Sequence, residues 1–181
     1  MTALFTISLC FPRTIGLKSI SKRVNSSGCD ENCTWVCLAQ LNVHGGNPPT
    51  TNQIYDILAR KGVDRATFDK ELTFGQLKDM LNILLEEYIP DEKAKYIQPK
   101  KEDKITSLAQ VTNRHGDRVP TGNWVIVVLR DEAGNKHAVL GYYDTYSHVF
   151  RDYQSNPYGE DYTIPAQDPM HIVGVMWHGP K

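Results

Sequence analysis

The sequence predicts an α+β protein, with helices gathered in its first half and an antiparallel sheet in its second. Two observations carry this. From about residue 29 through residue 88 the apolar side chains recur at helical spacing, as in Leu77, Met80, Leu81 and Leu84. From Trp124 onward the pattern becomes short apolar runs separated by Gly, Asn and Pro, as strands are separated by turns. Helices first and strands afterwards is the order of a segregated α+β fold rather than of alternating α/β units. The 181 residues suit one domain, with a helical part over about 29–90 and a sheet over about 121–178.

Each element has its own signal. Phe5, Ile7, Leu9 and Phe11 alternate with smaller or polar residues, which reads as a half-buried strand. That stretch lacks the basic start and small-residue cleavage site of a secretory signal. Residues 12–28 read as a surface segment. Asp30, Glu31 and Asn32 supply capping groups for a first helix from about Cys33 to Val43, and His44-Gly45-Gly46 stops it. Asn47 to Thr50 form a turn. Thr51 or Asn52 caps a second helix from Gln53 to Lys61, ended by Gly62. Thr73 opens a third from Phe74 to Tyr88, ended by Pro90. Residues 91–120 are polar and Lys-rich, with a short element expected only at Ile105–Val111. Trp124–Leu129, Lys136–Tyr143, Ser147–Gln154 and Ile172–Trp177 read as strands. Asp131–Asn135 and Asn156–Gly159 read as turns.

Composition narrows the function. Net charge is −1, without the basic excess of a nucleic-acid binder. No run approaches the ~20 apolar residues of a membrane span. The cysteines, at 10, 29, 33 and 37, are too crowded for a disulfide framework, so reduced thiols are expected.

The chemistry centres on Cys33. A thiol at a helix start meets the positive end of the helix dipole and free backbone N–H groups, which favour the thiolate and can hold an oxyanion. Cys37, in the apolar run Trp35-Val36-Cys37-Leu38, reads as a core cysteine. A cysteine nucleophile needs a base, and His137 stands at the mouth of an apolar strand, just before Ala138-Val139-Leu140-Gly141. With Asp144-Thr145 as a two-residue turn centre, Tyr143 pairs with Tyr146 and His137 falls opposite Asp152. Opposed residues have Cβ atoms about 4.5–5.5 Å apart, where a carboxylate fixes an imidazole's tautomer. On the same register His148 pairs with Gly141 and flanks the site. The expected triad is Cys33, His137 and Asp152.

These residues resemble the papain-like superfamily, and locally the bacterial papain-fold toxins and type III effectors, which include glutamine deamidases and effector proteases. Asn32-Cys33-Thr34-Trp35-Val36-Cys37 is similar to their nucleophile motif, Asn-Cys followed by a small polar residue. The His-Ala-Val-hydrophobic-Gly strand, and Asp152-Tyr153-Gln154 beginning 15 positions after the histidine, resemble the Asp-x-Gln that follows their hairpin. The two blocks cover about 40 residues. Two departures stand out. Ser27 occupies the position where papain-type proteases carry an oxyanion-donating Gln, and Asp152 stands where papain has Asn. The resemblance implies a papain-like cysteine protease fold and a thiol hydrolase needing no cofactor or metal. It implies a protein substrate, with an immunity protein or chaperone as a further partner. It also implies synthesis in a bacterial cytoplasm and delivery into a target cell.

Three other readings stay open. Cys29, Cys33 and Cys37, spaced four apart and followed by His44, suggest a zinc or iron–sulfur cluster, but the second distant ligand pair that zinc sites usually have is missing. His137 and His148 suggest a Cys-His-His peptidoglycan endopeptidase of the NlpC or CHAP type. The tyrosines at 142, 143, 146, 153, 158 and 162 suggest an inactive papain-fold interaction module.

Overall fold

Two of the helices begin where the sequence supplies a reciprocal cap. Thr73 accepts a hydrogen bond from the Gln76 backbone N–H at 3.2 Å, and the Gln76 side chain accepts from the Thr73 N–H at 2.9 Å. Thr50 and Gln53 make the same pair of bonds. Both sets satisfy N–H groups that a helix start leaves open. The cap of the second helix is therefore Thr50, one residue before the expected Thr51 or Asn52, because only Thr50 has a Gln three positions on.

The computed structural model describes residues 33–41, 49–67, 72–115, 119–151 and 170–181. In chain order these hold α1 (Cys33–Leu41), α2 (Thr51–Arg60), α3 (Phe74–Tyr88), β1 (Glu92–Ile97), α4 (Leu108–His115), β2 (Trp124–Arg130), β3 (Lys136–Tyr143), β4 (His148–Arg151) and β5 (His171–Pro180). The protein is α+β, and the five described strands pair antiparallel in the order β1-β5-β2-β3-β4. The expected N-terminal strand and the Asn156–Gly159 turn lie outside the described residues.

The pleat sorts side chains into two cores. Ala94, Ile126, Ala138, Leu140 and Met176 face α1, α2 and α3. Val125, Val127, Leu129, Val139, Phe150, Val175 and Trp177 face the other way, toward Leu108 and Val111 of α4. Strands buried on both sides read as continuous apolar runs. That is why β2 and β3 were legible from Trp124 and Lys136 onward.

Close approaches fix the layers. A Cβ at Gly174 would overlap the ring of Phe74, which opens α3 and stacks on Tyr96 of β1 with ring centres 6.3 Å apart. A Cβ at Gly141 would lie 2.6 Å from Val127 and 2.9 Å from Leu108. The bare backbone of Gly141 is thus where α4 comes down on β3. Opposite β2, the ladder steps from Gly174 at Val128 to Ile172 at Leu129, which leaves Val173 as a bulge.

The edge strand β1 was unread because Glu92-Lys93-Ala94-Lys95-Tyr96-Ile97 carries three charges, as sheet edges often do. Its Ala94 N–H is occupied by the Asn82 side chain of α3 at 2.7 Å. Asn82→Ala leaves that part-buried donor open, and we expect a loss of about 1 kcal/mol in urea unfolding. The segment expected as a short element at Ile105–Val111 is instead the helix α4, whose buried face is Leu108 and Val111.

The β3–β4 register differs from the expected one. Tyr143 pairs with His148, Gly141 with Phe150 and Leu140 with Arg151. The connection is four residues long, closed by Asp144 N–H to the Ser147 carbonyl at 2.9 Å. Two-residue hairpin turns need positive φ at a central residue, and Asp-Thr does not favour it. The Asp144 carboxylate instead accepts the N–H groups of Tyr146 and Ser147, each at 2.7 Å, and holds the wider loop.

Candidate active site

Cys33 is the first residue of α1, and it is buried with Cys37 one turn on. Neither is in a disulfide. Both pack in the α1-side core with Leu38, Ala138 and Leu140. Cys37 thus takes the packing place expected of it.

The lie of α1 follows from its far end. His178 Nε2 is 3.3 Å from the carbonyl oxygen of Leu41, one of the acceptors a helix end leaves open. His178 Nδ1 pairs with the Glu92 carboxylate of β1. The C-terminus of α1 is thereby fixed over the part of β5 that adjoins β1. Cys33 lies at the other end of nine residues, about 12 Å away. From there the helix packs across β2 and β3.

His137 is the second residue of β3 and is only 3% exposed. It pairs with Leu129, and Leu129 belongs to the α4-side core. Directly opposed residues share a face. The Cα–Cβ bond of His137 therefore leaves β3 on the side away from α1. Cys33 packs in the core on one face of the sheet, and His137 leaves β3 toward the other.

Asp152 lies outside the described residues. The ladder that reaches Arg151 is two residues out of step with the one that would oppose Asp152 to His137. His148 pairs with Tyr143 rather than Gly141, about 20 Å along β3 from His137. It does not flank His137, which removes the geometry the Cys-His-His reading needs. Asp144 is a turn residue. The Tyr142 hydroxyl donates to it at 2.7 Å, and this bond, ahead of the backbone N–H groups, holds its carboxyl below the usual range.

Sequence reasoning missed one histidine. His171 opens β5 opposite Arg130, on the α1 side of the sheet. Its Nδ1 is buried without a hydrogen-bond partner. Its place depends on β5 lying beside β2, a neighbour relation that no local pattern reveals.

Among the described residues no group of three or more His, Cys, Asp or Glu is placed to hold a metal. Cys29 and His44, half of the proposed cluster, lie outside them, as does Ser27. No described helix is long and apolar enough to cross a membrane. A scan against protein-family models finds no match, and a search of curated proteins finds none.

Proposed function

We propose that this protein is a cysteine-dependent amide hydrolase of papain-like fold, with Cys33 as nucleophile and His137 as base. The observation that carries the reading is the position of Cys33 at the first turn of α1. Backbone N–H groups at a helix start favour a thiolate and can hold the oxyanion of an attacked amide. The reading requires the His137 imidazole to reach the side of the sheet that carries Cys33. Asp152, 15 residues on, is the carboxylate proposed to orient it.

The chemistry follows from these roles. His137 takes the thiol proton, and Cys33 Sγ bonds to the amide carbon. The C–N bond breaks, ammonia or an amine leaves with a proton, and a thioester remains. Water deprotonated by His137 then releases the acid and frees the thiol. With the resemblance to toxins and effectors, the reading extends to a protein target, to glutamine deamidation ahead of proteolysis, and to delivery from the bacterium that makes the protein. An immunity protein or chaperone is the further partner proposed.

Incubation of the full chain with a host-cell lysate, followed by mass spectrometry, tests this. The expected result is glutamine-to-glutamate conversion or chain cleavage that is lost in Cys33→Ser and His137→Ala and kept in His171→Ala. Loss in His171→Ala with retention in His137→Ala would move the base to β5. Activity on muropeptides but not on proteins would favour the cell-wall endopeptidase instead. Activity surviving Cys33→Ser would overturn the reading.

A further inference from the structure

The eight-residue helix α4 is held onto the sheet by a histidine from a distant part of the chain. Its own start is only partly capped by its neighbours. The Ser107 hydroxyl accepts from the Gln110 N–H at 3.2 Å, and the Gln110 side chain accepts from the Thr106 N–H at 2.8 Å. The N–H of Leu108, the first helical residue, goes to Nε2 of His148 on β4 at 3.2 Å. The imidazole is packed edge-on against Phe150 and Tyr143, with ring centres 5.2 and 6.1 Å away. Directly below, Leu108 rests on the bare backbone of Gly141.

A backbone N–H can be accepted only by a ring nitrogen that carries no proton. The neutral tautomer with its proton on Nδ1 makes this bond. An added proton would turn Nε2 into a donor facing another donor. It would also put a positive charge at the positive end of the α4 dipole. The carboxylate of the adjoining turn, Asp144, is engaged by the Tyr142 hydroxyl and the N–H groups of Tyr146 and Ser147. α4 has no acidic residue in its first turn. Arg114, near its end, is already paired with Asp103 at 2.6 Å. Tyr143 is the titratable group touching the ring, and Arg151 lies on the opposite face of β4 from His148.

We propose that the His148–Leu108 contact is an acid-sensitive latch, whose protonation frees the start of α4 from the sheet face that carries Val139, Gly141 and His137. Burial independently holds the His148 imidazole below the ordinary histidine value of 6.5. The sign follows. The unfolded or unlatched chain takes the proton first, so the latch is intact above about pH 6.5 and is lost as pH falls below it. The device stands on the fold and does not depend on the proposed catalysis.

Amide hydrogen exchange of the full chain, corrected for the intrinsic effect of pH, reads it locally. Protection at Leu108 is expected to fall between pH 7.5 and pH 5.5, by up to about tenfold for each unit separating the latched and free pKa values. Protection in β2 should change less. In His148→Gln, whose side-chain oxygen can still accept, the local pH dependence should vanish. The nitrogen shifts of the wild-type imidazole give a second measure that needs no variant. At neutral pH they should report a proton on Nδ1. A proton on Nε2, or the same pH dependence in His148→Gln, would overturn the latch.

Discussion

Cys33→Ser is expected to leave the fold standing and to remove amide hydrolysis by on the order of 10³-fold or more, as loss of a nucleophile does. Serine nearly matches cysteine in volume, so the α1-side core around Leu38 and Ala138 keeps its packing. The more telling variant is the double one. A nucleophile and base that act as a unit are lost once, so Cys33→Ser with His137→Ala should be no slower than either alone. Rates that multiply would mean the two residues act separately, as their opposite faces in the ladder would then imply. Single-turnover hydrolysis of an amide substrate found by mass spectrometry is the measurement. Iodoacetamide gives an independent readout. Cys33 should be labelled ahead of Cys37 at mildly acidic pH, and equal labelling would count against a thiolate at the helix start.

Gly174→Ala is expected to cost about 3 kcal/mol or more, at the upper end for overpacking. The added methyl would stand inside the Phe74 ring. That ring cannot simply withdraw, because Phe74 is fixed by the Thr73–Gln76 cap behind it and by Tyr96 beside it. For a chain of this length the loss corresponds to a fall of roughly 6–12 °C in Tm. Phe74→Leu should cost stability alone yet relieve part of the Gly174→Ala penalty, so the double variant should be less unstable than the sum. Thermal unfolding followed by circular dichroism measures all three. A Gly174→Ala protein as stable as wild type would mean that Phe74 does not occupy this place on β5.

Local signals were legible in the sequence and nonlocal ones were not. The span Phe74–Tyr88 could be read because a cap, an apolar face and Pro90 all mark the same helix. The span Lys136–Tyr143 could be read because turn residues bracket an apolar run. β1 escaped because lysines mask a strand whose inward residues are only Ala94 and Ile97. The β3–β4 register escaped because one carboxylate, Asp144, sets the loop length through bonds that no propensity encodes. For the site, the helix-start position of Cys33 was visible, and so was the strand of His137. Which face of β3 the helix would cover was not, since Ala138 and Leu140 are as apolar as Val139. That choice depends on distant neighbours, and it decides on which side of the sheet the His137 imidazole begins.

The place of β5 bears on how the molecule is made. It follows every other described strand in the chain, yet it lies between β1 and β2 and hydrogen-bonds to both. While the ribosome is still adding residues 171–180, β1 has no strand beside it and β2 has only β3. The helices and the β2–β3 hairpin can form as they emerge, but β1 cannot join the sheet until β5 has left the exit tunnel. Closing the sheet then waits on a pairing distant in sequence, with a long loop to close, slow by nature and open to chaperone capture until that strand arrives.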